Sequence, residues 1–146
     1  MKNFLIIFFA SYLPYFLVII SLFLLFIKEK SWRRRLYVFS VFALAAILSR
    51  GLITETIRFF YPKLRPSGLL GSFPSGHMAF YFVLALVVFF LLNRKWGWFF
   101  LAAVVLMGAA RVLVGFHWPS DIIGGILIAT FCYFFVQKIL LPEKLT

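Results

Sequence analysis

The sequence predicts an all-α protein, a polytopic bundle of about five membrane-spanning helices. Of its 146 residues, 64% are hydrophobic and only 13% charged, and the mean hydropathy of +1.05 is too high for a water-soluble domain. The apolar residues fall in runs of about 20, the number a helix needs to cross a hydrocarbon core of about 30 Å. Such runs must be helical, because lipid offers no partner to an unpaired backbone N–H or C=O. At that length per span little is left over, so residues 1–146 are expected to form a single membrane-embedded unit.

The first run, Phe4 to Ile27, lies between Lys2 and Lys28. It is too long for a signal-peptide core and lacks a small-residue cleavage site, so it reads as a retained helix that Pro14 can kink. The charged stretch Lys28 to Arg35 turns the chain, and Leu36 to about Ile53 forms a second span with Arg50 near its far end. Thr54 to Ser75 is the longest polar break. Pro62, Pro66 and Pro74 with Gly68 and Gly71 make it a loop, with a short interfacial helix at its start. A third span runs from Ser75 to Leu92, and a tight turn at Asn93 to Lys95 leads to a fourth. That span, Trp96 to about Val114, holds Arg111 close to its end. Gly115 and Pro119 bracket the next break. The fifth span, Ser120 to about Leu141, carries Gly124 and Gly125, small residues that let membrane helices approach closely.

Fifteen Lys and Arg against four Asp and Glu give a net charge of +11. The basic residues punctuate apolar runs rather than gather on a solvated face, so the expected partner is the bilayer and not nucleic acid. Glu29, Glu55, Asp121 and Glu143 are too widely spaced for the carboxylate cluster of a Mg²⁺ or Ca²⁺ site. Cys132, the single cysteine, lies inside an apolar run and allows neither an internal disulfide nor a cysteine zinc cluster. No metal and no cofactor are expected. The basic turns at 28–35 and 93–95 share one side with Lys138 and Lys144, and the positive-inside rule makes that side cytoplasmic. The N-terminus and the loops after spans two and four then face outward. Arg58, Lys63 and Arg65 fall on the outer side and need another explanation.

Three outer segments hold the unusual polar residues: Arg58 with Arg65-Pro66, Pro74-Ser75-Gly76-His77, and Arg111 with His117 and Asp121. Singly, each has a plain alternative. Arg58, Lys63 and Arg65 fit headgroup anchors, His77 fits a helix cap, and Arg111 fits a side chain that snorkels to water. Jointly, both histidines, three arginines and the only outer-loop Asp reach one membrane level, which anchoring does not require. Ser75-Gly76-His77 opens a helix whose first-turn amides and dipole favour an anion, with Gly76 allowing close backbone approach. The planar guanidinium groups of Arg58, Arg65 and Arg111 can each grip two phosphate oxygens. His117 and Asp121 are four apart and can share a helix side, so that the carboxylate accepts from one ring nitrogen and frees the other. His117 is therefore the candidate nucleophile, Asp121 the group that fixes its tautomer, and His77 the general acid. Asp121 also fits a helix N-terminal charge. Attack needs neutral His117 and donation needs protonated His77, so a bell-shaped pH profile is expected; nearby arginines and Asp121 pull His117 in opposite directions.

These residues resemble the type 2 phosphatidic acid phosphatase (PAP2) superfamily, which includes bacterial undecaprenyl-diphosphate, phosphatidylglycerophosphate and lipid A phosphatases and the vanadium haloperoxidases. The first motif of that family, Lys, six residues, Arg-Pro, is met by Arg58 and Arg65-Pro66, with Arg replacing Lys. The second, Pro-Ser-Gly-His, stands unchanged at Pro74 to His77. The third, Ser-Arg, five residues, His, three residues, Asp, is met by Arg111, His117 and Asp121, with Ala110 replacing Ser. The resemblance implies that Arg58, Arg65, Ser75, Gly76 and Arg111 bind phosphate. It also implies that His77 is the general acid and that His117 is the nucleophile, supported by Asp121. Membrane members usually have six spans, so five imply that an N-terminal helix is absent.

The expected function is metal-independent hydrolysis of a lipid phosphate or diphosphate at the outer membrane face through a phosphohistidine. Undecaprenyl diphosphate ranks ahead of phosphatidylglycerophosphate and phosphatidate by family analogy. The departures at Arg58 and Ala110 raise one alternative, a non-catalytic lipid-phosphate binder or transporter, which leaves both histidines and Asp121 without a task. A serine hydrolase built on Ser75 leaves the arginines unexplained.

Overall fold

The computed structural model describes residues 2–140; Glu143, Lys144 and the expected end of the last span at Leu141 lie outside the described residues. Five helices follow one another: α1 (Phe4–Lys28), α2 (Trp32–Phe60), α3 (Gly76–Leu92), α4 (Arg94–Leu113) and α5 (Pro119–Leu140). There is no strand among the described residues. Four of these helices are long and apolar enough to cross a bilayer, which makes this an integral membrane protein; α3 is apolar but shorter than 18 residues.

The second span is longer at both ends than the sequence predicts. It starts at Trp32 because the basic residues after it have partners: Arg35 donates to the carbonyls of Glu29 (2.6 Å) and Phe26 (3.0 Å), and Arg34 pairs with Glu29 at 3.0 Å. These contacts also satisfy carbonyls at the end of α1. At the other end the helix widens over Ile47–Ile53, where the Thr54 N–H reaches back five residues to the Ser49 carbonyl. No proline interrupts the chain between Trp32 and Pro62, so the expected interfacial helix is simply the last part of α2. Arg58 is thereby held on a helix rather than a loop.

Pro14 acts on α1 through a similar widening over Phe8–Tyr12, with the Leu13 N–H bonded to the Phe8 carbonyl. In an α-helix the Ala10 carbonyl would accept from residue 14. Proline has no N–H, and that acceptor is left for another donor.

Helix α3 is short but central. It packs against α2, α4 and α5, and Met78, Ala79 and the run from Val83 to Val88 are all buried. One core cluster joins it to α1 and α4 through Leu17, Phe100, Val104 and Met107; another joins it to α2 and α5 through Val41, Ala45, Ala129 and Tyr133. Gly125 lets α5 lie against the start of α3, since a Cβ there would stand 2.7 Å from both Met78 Cβ and the Ser75 carbonyl. Large apolar side chains such as Phe23, Phe39, Leu127 and Phe131 face outward, as expected of a lipid-facing surface. The α1–α2 and α3–α4 turns share one end of the bundle, where Arg34 and Arg94 line a common crevice. At the opposite end the buried helix α3 begins, encircled by the two remaining connections.

Candidate active site

The connection from α2 to α3 folds into a small hairpin bridged between Leu64 and Leu70. Arg65 N–H donates to the Leu69 carbonyl (2.7 Å) and Ser72 N–H to the Lys63 carbonyl (2.9 Å). Gly68 and Gly71 supply the left-handed φ values, +85° and +79°, that the turn requires. The hairpin lies over the start of α5: Trp118 Nε1 donates to the Leu64 carbonyl (2.9 Å), and Lys63 Nζ reaches Ser120 Oγ and Asp121 Oδ1, both at 2.8 Å. The second and third motifs meet directly, because Ser75 N–H donates to the Asp121 carbonyl at 2.9 Å. Ser75 itself caps α3, its hydroxyl accepting from the Met78 N–H.

His117 sits in the short connection between α4 and α5 and is only 2% exposed. Its Nδ1 lies 2.9 Å from the Ser72 carbonyl and 3.6 Å from Asp121 Oδ2. A carbonyl can only accept, so Nδ1 carries the proton and Nε2 holds the free lone pair of the neutral ring. The bond that sets the tautomer therefore comes from backbone, where the sequence placed Asp121. The Asp121 carboxylate, fully buried, is used elsewhere: it accepts from Lys63 Nζ, from the Ser72 hydroxyl and from the Trp118 N–H at 2.8 Å. The last of these is also the reciprocal bond of a helix N-cap, so the plain alternative for Asp121 and its place beside His117 hold together. Burial first, then the charges of Arg111 and Arg65, holds the His117 imidazole down to about 4, against the opposing pull of Asp121 and the Ser72 carbonyl. The ring is neutral at physiological pH.

Arg58 and Arg111 are each tethered by hydrogen bonds to the protein. Arg58 donates through Nη1 to Glu55 (3.1 Å) and through Nη2 to the Pro74 carbonyl (3.0 Å). The guanidinium fork holds its two bonds in fixed, divergent directions, which the rotatable ammonium of the family motif's lysine does not preset. Arg111 does not snorkel; it is 7% exposed, and its Nη1 donates 2.9 Å to the Ala10 carbonyl that Pro14 leaves without its helical donor. Arg65 lies within electrostatic reach of both Arg58 and Arg111. Each of the three keeps a buried Nε–H with no acceptor among the described residues. Buried donors without partners are rare, and three cationic ones in one region match an anion with several oxygens. His77 is the one exposed residue on the otherwise buried first turn of α3, its ring stacked against Tyr81, within electrostatic reach of Arg111, His117, Arg50 and Arg58.

Lys63, for which the sequence offered headgroup anchoring only as the plain alternative, is an ion-pair partner of Asp121. Gly76 does leave room for close approach, but what lies against it is the side chain of Arg50, with Cδ at 2.6 Å and Cζ at 2.9 Å from where a Cβ would stand. Arg50, Glu55, Lys63 and Ser72 escaped the sequence reading of the site. Only Lys63 left a signal, standing two residues from Arg65 on an extended segment and so on the same face.

Apolar spanning helices that close at one end around arginines and a buried imidazole define an integral membrane phosphatase. The chain belongs to the PAP2 superfamily, which matches residues 40–143. It is 27% identical over 145 residues to the bacitracin transport permease protein BcrC of Bacillus licheniformis, covering 93% of this chain and 70% of that one. It is 29% identical over 140 residues to the undecaprenyl-diphosphatase BcrC of Bacillus subtilis, covering 88% and 70%. An undecaprenyl-diphosphatase of Sulfolobus acidocaldarius is 30% identical over 101 residues, 60% of this chain and 48% of that one. No solved structure gives a significant match.

Proposed function

We propose that this protein hydrolyses a lipid diphosphate, with undecaprenyl diphosphate as the preferred substrate, at the extracytoplasmic face of a bacterial inner membrane and through a phosphohistidine. The observation that carries the chemistry is His117, buried, neutral and with Nδ1 bound to a carbonyl, beside guanidinium donors that lack acceptors. The relatives named undecaprenyl-diphosphatase support the substrate. The basic turns at the opposite end of the bundle support the face.

In the first half-reaction Nε2 of His117 attacks the terminal phosphorus while Arg65 and Arg111 neutralise its oxygens. An N–P bond forms, the P–O bond to the bridging oxygen breaks, and His77 gives that oxygen its proton, releasing the lipid monophosphate. In the second half-reaction water loses a proton to His77 and attacks phosphorus; the N–P bond breaks and orthophosphate leaves. Asp121 stabilises the positive ring as it forms, and Lys63 keeps that carboxylate ionised and in place. Arg58 borders the cradle at the mouth of α3, where Ser75 caps the helix and Gly76 admits the Arg50 side chain. The whole chain acts as one unit, because α1 supplies the carbonyl that orients Arg111.

The test is orthophosphate release from undecaprenyl diphosphate by detergent-purified protein with chelator present. Metal-independent release that disappears in His117→Ala is the expected result; complete inhibition by chelator contradicts it. One relative is named a transport permease, and saturable lipid binding without any release would favour the binder reading instead.

A further inference from the structure

Arg50 belongs to no motif, yet its guanidinium covers the first residue of α3, immediately before His77. Gly76 is what permits this, since a Cβ there would overlap Arg50 Nε. A cation against the positive end of a helix is electrostatically unfavourable. Glu55 offsets the cost only in part, because its one carboxylate serves both Arg50 and Arg58 and leaves the three groups with a net positive charge. The Arg50 side chain is 40% exposed, so its outer donors are open to a ligand.

We propose that Arg50, with Arg58, holds the second phosphate of a diphosphate substrate, the one that leaves, and so makes the site selective for diphosphates over monophosphates. This rests on the reading of His117 as nucleophile and His77 as acid. Two cationic groups lie within electrostatic reach of His77: Arg111, which acts on His117 together with Arg65, and the pair Arg50 and Arg58 that shares Glu55. A monophosphate ester fills the first group and presents only an alkoxide and its hydrocarbon chain to the second. A diphosphate fills both. When its bridging P–O bond breaks, the bonding electrons stay on the departing lipid monophosphate, and the Arg50 fork faces the charge that gathers there.

The experiment compares Arg50→Gln with the unmodified protein on two lipids of one prenyl chain, the diphosphate and the monophosphate. Loss of one charge-assisted contact predicts a fall of about tenfold or more in kcat/KM for the diphosphate and a change under about threefold for the monophosphate. Equal losses on both lipids overturn the proposal. A second readout needs no turnover: methylenediphosphonate and orthophosphate as ligands that raise the thermal midpoint. The unmodified protein should prefer the diphosphonate by about tenfold in affinity, and Arg50→Gln should abolish the preference while binding orthophosphate as before. No preference in the unmodified protein also overturns the proposal. A protein that releases phosphate from neither lipid, yet shows the Arg50-dependent preference, fails as a hydrolase and keeps the second phosphate site.

Discussion

Lys63→Met is the sharpest perturbation of the acid–base arrangement, because Lys63 touches Asp121 and Asp121 lies 3.6 Å from the His117 ring. Methionine keeps most of the apolar stem of the side chain and removes its charge. Two effects follow. The buried carboxylate loses a partner; with the lysine itself 26% exposed, the cost to stability is about 2 kcal/mol, below that for a fully buried pair. The carboxylate also acts less compensated on His117, which stabilises the imidazolium and raises the ring from its value of about 4. A unit charge roughly 6 Å away, at an effective dielectric constant of about 40, is worth about 1.4 kcal/mol, or about one pH unit.

Attack requires the neutral ring, so the acid limb of kcat/KM should move from about pH 4 toward about pH 5, activity being lost as pH falls through the limb. The assay is phosphate release across pH for both proteins on one lipid. The ionisation of the substrate is common to the two, and the difference between the profiles isolates the enzyme. Superimposable profiles with equal rates would mean that Lys63 acts on neither Asp121 nor the His117 ring during turnover.

Further outcomes follow from the same contacts. Arg111→Lys loses both the fork and the bond to the Ala10 carbonyl, and should reduce kcat/KM by about a hundredfold; a loss under threefold in the same phosphate assay contradicts its place in the site. Gly125→Ala puts a Cβ 2.7 Å from Met78 and the Ser75 carbonyl, and overpacking of that kind costs about 1–3 kcal/mol, measurable as a lower thermal midpoint in detergent. An unchanged midpoint would mean that α5 does not rest on α3 there.

The helices were legible because apolar run length is a one-dimensional signal, and each of the five runs became a helix. Their ends were less so. The continuation of α2 to Phe60 depends on a widened turn and on burial of Ser49 and Thr54, which no local pattern announces. The motif residues lie together at one end of the bundle, since short loops between spanning helices force their ends to one level. What the sequence hid were contacts from backbone and from outside the motifs: the Ser72 carbonyl on His117, the Ala10 carbonyl on Arg111, and Arg50 over Gly76. A carbonyl has no letter of its own. The role that spacing gave to Asp121 alone is divided between a main-chain oxygen and a carboxylate tied to Lys63.

The most direct measurement is rapid acid-free quenching during turnover of a lipid diphosphate labelled in its terminal phosphate, followed by peptide mapping of the protein. The expected result is label bound to the peptide containing His117, stable to base, labile to acid, and absent from His117→Ala. Label on another residue, or turnover at the full rate with none bound, would contradict it.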